Sequence, residues 1–170
     1  LLLGKYLGLA CALTLSTLAG FGLVALLLFH RMSWTSIYHY AGFMVSSVLL
    51  GLVFLSLAVL VSVVSRDRTR ASGLAIATWF FFVLVYDLLL LGILVGTGGR
   101  FGGDALAWLL LLNPADVFRI LNIFSLDDVR TLYGLASVVP TSMGNPVAMG
   151  GVMLAWIVVP LALANWRFKP

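Results

Sequence analysis

The sequence predicts an all-α integral membrane protein, built as a polytopic helical bundle. Three observations support this: 62% of the 170 residues are hydrophobic, only 9% are charged, and the mean hydropathy is +1.14. A soluble domain carries roughly a quarter charged residues, so this chain lacks the polar surface that a water-soluble globule needs. Its long uncharged stretches exceed the roughly 18 apolar residues that mark a membrane-spanning helix.

We expect a single transmembrane domain, residues 1–170, with four spanning helices. The expected spans cover about 6–29, 37–65, 71–97 and 146–166, and helices of this length cross a bilayer with some tilt. The chain begins "LLLGKY", without Met and part-way into a hydrophobic pattern. We therefore also expect the natural polypeptide to be longer on the N-terminal side.

The segment "GGDALAWLLLLNPADVFRILNIF" predicts a re-entrant helical hairpin over about 104–125. Its first half is too short to cross, and Asn113 and Pro114 then begin a new helix with Asp116 in the first turn. A single fifth span would bury Asp116 and Arg119 at mid-depth, where charges are costly. We therefore expect two short helices that dip into the membrane edge and return.

The basic residues predict the orientation of the chain. With four spans, both ends and the loop 66–70 lie on one side, and the hairpin lies on the other. The first side holds Lys5, Arg66, Arg68, Arg70, Arg167 and Lys169, and the second holds Arg31, Arg100, Arg119 and Arg130. The positive-inside rule places the termini in the cytoplasm and the hairpin outside it. The net charge of +4 is too small and scattered to suggest nucleic-acid binding.

Small residues recur every fourth position along the first helix, as Gly4, Gly8, Ala12, Ser16 and Gly20. Such spacing lets two membrane helices approach closely. Two alternatives stay open for this stripe: packing inside the bundle, or an interface with another subunit.

Asp87 is an isolated acid, with no charged residue between it and Arg70 or between it and Arg100. It lies 17 residues from Arg70, or roughly 25 Å along a hydrocarbon core of about 30 Å, so it must face protein or water. Its candidate partners are Arg119, His39 and Arg31, with Tyr86 and Tyr40 as hydrogen-bond donors. Asp87 either pins the hairpin, or lines an outer cavity or serves in a switch.

The sequence carries no P-loop, no metalloprotease or serine-hydrolase motif, no paired Cys and no Glu. We expect no enzyme, and energy for any work must come from a partner. Met143, Met149 and Met153 invite a copper(I) interpretation, but core filling is the usual role of Met. His30 and His39 fit interfacial anchoring better than ligation, so we expect no metal site and no cofactor in this chain.

Three stretches resemble the type-2 ABC transporter permeases: the "GK" that opens the first helix, "SRDRTRASGLA" and "LLNPADVFRI". The resemblance covers the whole chain and is closest to permeases that serve the maturation of nitrous-oxide reductase. Permeases of this family have six spans, so the chain is similar to spans three to six. The N-terminal spans and the coupling helix between the second and third would then be missing.

The resemblance implies a homodimer in the bacterial inner membrane, two cytoplasmic ATPase subunits that hold ATP and Mg, and a periplasmic accessory protein. By motif position, the ATPase-contact loop consists of Arg66, Asp67, Arg68 and Arg70. The hairpin residues that face the periplasmic partner are Asp104, Asn113, Pro114, Asp116 and Arg119.

The implied function couples ATP hydrolysis to export or to conformational signalling, in maturation of the copper-sulfur centre of the reductase. Two alternatives remain: an exporter of a drug-like or lipidic molecule, and a non-transporting scaffold for a periplasmic factor.

Overall fold

The computed structural model describes residues 2–98, 104–124 and 145–168, and all regular secondary structure in these ranges is helical. The first two helices are α1 (Leu2–Leu28), which ends in a 3-10 turn, and α2 (Trp34–Val64). The third span joins α3 (Arg68–Phe80), a π turn (Phe81–Val85) and α4 (Tyr86–Gly96). The hairpin consists of α5 (Asp104–Leu111) and α6 (Pro114–Phe124), and the last helix is α7 (Pro146–Arg167).

Four of the described helices are long and apolar enough to cross a membrane: Leu2–Arg31, Trp34–Val64, Arg68–Gly96 and Pro146–Arg167. They match the four predicted spans to within a few residues, and the predicted all-α polytopic fold is confirmed. Several expectations fall on residues outside the described ranges. These residues are Arg100, Arg130, Met143 and Lys169.

Two helix starts lie three residues earlier than the sequence predicts, because a side chain caps each of them. Ser33 Oγ accepts a hydrogen bond from the Ser36 amide at 3.2 Å, at the start of α2. Asp67 Oδ1 accepts one from the Arg70 amide at 2.7 Å, at the start of α3. Arg68 and Arg70 therefore lie on the first turn of a helix, which corrects the expectation that 66–70 forms a loop.

α2 is the central helix of the bundle, because it packs against α1, α3, α6 and α7. Met149 and Met153 are buried on α7 within the core that joins these helices. They fill space there, as flexible thioether side chains commonly do. The buried hydrophobic residues of this core are Tyr6, Val53, Leu57, Ala107, Val117, Ile120, Met149, Met153 and Ile157.

α1 approaches α2 closely at Gly51, where a Cβ would lie only 2.8 Å from Cδ2 of Leu13. The absent side chain lets Leu13 fill this space. Further along the same pair of helices, the Tyr40 hydroxyl donates to the carbonyl of Phe21 at 2.9 Å. Tyr40 therefore holds α1 and α2 together and is not a partner of Asp87.

The small-residue stripe on α1 faces away from the described bundle. All five residues are exposed, and a Cβ on any of its three glycines would meet nothing within 4 Å. Internal packing of Gly4, Gly8, Ala12, Ser16 and Gly20 is therefore not found among the described residues. The alternative, contact with a helix of another subunit, stays a prediction.

Pro160 interrupts the hydrogen bonding of α7. Proline has no amide N–H, so the carbonyl of Trp156, four residues earlier, loses its usual donor. Ser56 Oγ on α2 lies 3.3 Å from that carbonyl and 2.7 Å from the carbonyl of Val53. The buried Ser56 hydroxyl thus partly replaces the donor that the Trp156 carbonyl lacks, and it links α2 to α7.

Candidate functional site

The hairpin turns sharply at the Asn-Pro pair, where the chain bends by 107° between α5 and α6. Asn113 caps α6, since its Oδ1 accepts a hydrogen bond from the Ala115 amide at 3.0 Å. Pro114 occupies the first helical position, where an amide N–H has no intrahelical partner in any case. The bend excludes a straight fifth span. Asp104 begins α5, as expected, and its side chain lies outside the described residues.

Asn113 also ties the hairpin to the third span. Its side chain is fully buried, and its Nδ2 donates to the carbonyl of Phe82 and to Oδ2 of Asp116, each at 2.9 Å. One amide therefore caps α6, orients a carboxylate and contacts a neighbouring helix. All its polar atoms are satisfied, as a buried amide requires.

The π turn explains why a carbonyl of the third span is free for Asn113. The Tyr86 amide donates to the carbonyl of Phe81, five residues earlier, whereas a regular α-helix would use Phe82. The Phe82 carbonyl therefore loses its usual backbone donor, and Asn113 Nδ2 replaces it. This π turn was not predicted, because "FFFVLVYD" contains neither Pro nor Gly to signal a break.

Arg119 joins the two carboxylates of the site. Its Nη1 donates to Oδ2 of Asp87 on α4 and, at 2.8 Å, to Oδ1 of Asp116 on α6. Its Nη2 lies 3.3 Å from the carbonyl of Val83, in the π turn. The Asp116 side chain is only 7% exposed, whereas Asp87 and Arg119 are 35% and 42% exposed. Arg119 is thus the expected partner that the structure places beside Asp87.

Two other candidate partners of Asp87 make contacts that do not involve it. His39 packs edge-on against Tyr38, with ring centroids 5.7 Å apart. Its Nδ1 is buried without a hydrogen-bond partner among the described residues. The Tyr86 hydroxyl donates to the carbonyl of Leu109 at 2.7 Å, near the end of α5. Tyr86 therefore holds the hairpin and does not bond Asp87.

Further contacts join the hairpin to the second and fourth spans. The indole Nε1 of Trp156 on α7 donates to the carbonyl of Leu111 at 3.1 Å, and its ring packs edge-on against Phe82 at 5.4 Å. Ser46 on α2 donates to Oδ1 of Asn122 at 3.0 Å. The roles of Trp156, Ser46 and Asn122 were not predicted, although each carries a polar group within an apolar run. We define the elbow cluster as Tyr86, Asp87, Asn113, Asp116, Arg119 and Trp156.

The Asn-Pro bend of the hairpin lies deeper in the bundle than predicted. Asn113 contacts Phe82, which is central in the third span, and Trp156, central in α7, reaches the end of α5. The hairpin therefore reaches the middle of the bundle and not only its edge. Asp116 and Arg119 are tolerated at this level because they pair with each other and with Asp87.

The chemistry of the elbow cluster is that of hydrogen bonds and ion pairs between helices. The described residues contain no group of three His, Cys, Asp or Glu side chains that could hold a metal ion. The cluster fixes the short helices α5 and α6 against the third and fourth spans. The contact between Ser46 and Asn122, outside the cluster, fixes α6 against the second span.

A second polar surface lies at the turn between α2 and α3. Asp67 Oδ2 lies 3.5 Å from Nε of Arg70, whereas Arg66 and Arg68 point into solvent without an ion pair to another described residue. This turn forms one wall of an open cavity of about 410 Å³. The residues around the cavity are Ser62, Ser65, Arg66, Asp67, Arg68, Ala71 and Ser72. We call it the basic cleft.

The described helices, four of them long and apolar enough to cross a membrane, define a polytopic, all-α membrane protein. The whole chain, residues 1–170, matches the family described as "ABC-2 family transporter protein". The chain belongs to this family, as a membrane-embedded permease subunit.

Two curated relatives make the similarity more specific. The chain is 38% identical over 173 residues to "Probable ABC transporter permease protein NosY" of Stutzerimonas stutzeri. It is 41% identical over 176 residues to the protein of the same name in Pseudomonas aeruginosa. Each alignment covers 99% of this chain but only 63% and 62% of the respective relative. The chain thus spans about three-fifths of the length of the curated relatives it matches.

Proposed function

We propose that this chain belongs to a permease that couples cytoplasmic ATP hydrolysis to a periplasmic partner, in maturation of the copper-sulfur centre of nitrous-oxide reductase. The proposal is supported by the identity of 38% and 41% to two NosY permeases along 99% of the chain. ATP and Mg bind to a separate ATPase subunit in this scheme. The permease works as a homodimer in the bacterial inner membrane, with a cytoplasmic C-terminus and an accessory protein on the outer face.

The observation that favours conformational signalling is the attachment of the hairpin to three spans. Asn113 bonds the third span, Trp156 of the fourth bonds α5, and Ser46 of the second bonds α6. A relative movement of these spans at the cytoplasmic end therefore displaces the hairpin as well. A periplasmic protein seated on the outer end of the hairpin would receive that movement.

The basic cleft is the proposed contact for the ATPase subunit, since Arg66 and Arg68 are exposed cations at the predicted cytoplasmic side. We expect the double substitution Arg66→Ala and Arg68→Ala to reduce both co-purification of the ATPase subunit and permease-dependent ATP hydrolysis. Arg31→Ala is the matched control, because Arg31 is an exposed arginine at the opposite end of α1 and α2. Equal loss in both variants would contradict the proposed contact.

The proposed coupling is tested in cells that lack the chromosomal permease and carry a plasmid copy. We expect Asn113→Ala to leave the ATPase subunit bound while the copper-sulfur centre of the reductase, measured by its absorbance, falls severalfold. Full maturation in that variant would overturn the role assigned to the hairpin. Full maturation in the complete absence of the permease would overturn the proposed function itself.

Two other functions give different results in the same preparations. A plain scaffold would bring down the periplasmic factor without an ATPase subunit. An exporter of an apolar molecule would show ATP hydrolysis that the molecule stimulates. An apolar cleft of about 290 Å³ between α2 and α3 is where such a molecule would first be sought. The residues around this cleft are Phe54, Leu57, Ala58, Ala75, Ile76, Thr78 and Trp79.

A further inference from the structure

The π turn in the third span is bonded to the hairpin at two successive carbonyls. Asn113 Nδ2 lies 2.9 Å from the carbonyl of Phe82, and Arg119 Nη2 lies 3.3 Å from the carbonyl of Val83. Both donors belong to the hairpin, and both acceptors lie within the five residues of the π turn. A π turn weakens the regular ladder of a helix, so external donors of this kind stabilise it.

A π turn also sets the rotation of everything that follows it. It holds one residue more than an α turn, and each residue of an α-helix advances by about 100° and 1.5 Å. If the turn relaxed to a regular α-helix, each residue of α4 would take the angular position that the next residue has now. Asp87 would take the position of Leu88, whose side chain is exposed, and would leave Arg119. The cost of turning an unpaired acid away from the protein favours the present register.

We propose that Asn113 is a positioning residue that holds the third span in its π-turn register, so that release of the elbow rotates α4 and withdraws Asp87 from Arg119. The contact of Asn113 with Phe82 and the contact of Arg119 with Asp87 then form and break together. The third span has two discrete registers, and the hairpin selects between them. This inference concerns the helices of the chain itself and holds whatever partner meets the hairpin.

The present register gives α4 a recognisable pattern of exposure. Leu90 and Leu94 face the protein and are half-buried, whereas Leu91 and Val95 are exposed. In the relaxed register, Leu89 and Ile93 would take the protein-facing positions. Leu90 and Leu94 would then turn toward lipid, as Leu91 and Val95 do now.

The test is a nitroxide scan of residues 88–95 in the full chain, reconstituted in lipid vesicles, with Cys11→Ala as background. Collision with dissolved oxygen reports which label positions face lipid. We expect Asn113→Ala to move the minima of oxygen accessibility from Leu90 and Leu94 to Leu89 and Ile93, a phase change of about 100°. Unchanged minima in that variant would overturn the proposal.

A matched control and a compensating deletion sharpen the test. Asn122→Ala removes an amide from the same helix, but Asn122 bonds Ser46 and Phe118 and not the π turn, so the minima should stay in place. Deleting Leu84 removes the extra residue of the turn. Combined with Asn113→Ala, this deletion should return the minima of oxygen accessibility to Leu90 and Leu94. If Asn113→Ala alone does not fold, the deletion should restore folding. Failure of the deletion to do either would also overturn the proposal.

Discussion

Asp87 and Asp116 share the guanidinium of Arg119 but lie in different surroundings. Asp116 is almost fully buried and accepts hydrogen bonds from both Asn113 and Arg119. Asp87 is about one-third exposed and accepts a hydrogen bond from Arg119. A buried acceptor is costly to disturb, since its donors have no water to replace it. The two carboxylates should therefore contribute unequally to stability.

We expect Asp116→Asn to destabilise the protein by about 2 to 3 kcal/mol and Asp87→Asn by about 1 kcal/mol. The amide introduced at position 116 would turn a donor toward Asn113 or Arg119. At position 87 it can turn its oxygen toward Arg119 and keep that hydrogen bond. Thermal unfolding of the purified chain in detergent ranks the two variants. Lys5→Gln removes an exposed charge and should leave the unfolding midpoint unchanged. A larger shift of the midpoint for Asp87→Asn than for Asp116→Asn would contradict the ranking.

Local chemistry made part of this site predictable from the sequence. The cap at Asn113, the Pro at the first helical position and the acid in the first turn follow from rules that span only four residues. The pairing of Asp87 with Arg119 was one of several candidates, because sequence alone does not measure distances between helices. The hydrogen bond from Asn113 to the Phe82 carbonyl could not be predicted, since it depends on a π turn that no residue pattern indicates.

The first helix of the hairpin is held at its carboxyl end. Trp156 donates to the carbonyl of Leu111 in the last turn, and Tyr86 donates to the carbonyl of Leu109, which also accepts from the Leu112 amide at 3.0 Å. These two side chains come from the third span and from α7. They add to the backbone hydrogen bonds from Leu112 and Asn113 that close α5 before the bend.

We expect Trp156→Phe to loosen α5 while α1 stays unchanged. The new ring keeps the contact with Phe82 but removes the indole donor to Leu111, a loss of about 1 kcal/mol. Hydrogen exchange followed by mass spectrometry should show roughly five-fold faster exchange of the α5 amides. Trp34→Phe, at an exposed ring, serves as the control. Equal exchange in both variants would show that the indole bond does not hold α5.

The glycines of α1 and α2 have two kinds of neighbourhood, which a pair of substitutions separates. At Gly51 of α2 the side chain of Leu13 fills the space of a Cβ, whereas nothing lies within 4 Å at Gly8. We expect Gly51→Leu to push α1 from α2 and to destabilise the chain by about 1 to 3 kcal/mol. Gly8→Leu should leave the unfolding midpoint of the isolated chain unchanged. A large shift for Gly8→Leu would show that the stripe packs inside the chain after all.

At the scale of the whole molecule, hydropathy alone predicted the four spans, because each is a long uncharged helix whose solvent is lipid. The second and third spans begin three residues earlier than predicted, because Ser33 and Asp67 cap their helices. The hairpin lies deeper than predicted, because the prediction counted Asp116 and Arg119 as two unpaired charges that are costly to place in the membrane. Their mutual pairing lowers that cost, and their i, i+3 spacing on one helix already indicates it.

The number of spans decides which surfaces share a side of the membrane. Four spans and a re-entrant hairpin place the start of α5 and the start of α7 on one side, and the basic cleft on the other. If α5 and α6 together formed a broken fifth span, the start of α7 would move to the side of the basic cleft. The proposed function depends on this distinction, because it places the ATPase subunit at one face and the periplasmic partner at the other.

Side-specific labelling of single cysteines in cells tests that arrangement most directly. The probes are Ala105→Cys, Val147→Cys and Arg68→Cys, each in a Cys11→Ala background and each at an exposed position. We predict that a membrane-impermeant maleimide labels the first two in intact spheroplasts and labels the third only after permeabilisation. Labelling of Val147→Cys together with Arg68→Cys, and not with Ala105→Cys, would contradict the re-entrant hairpin and the outward face assigned to it.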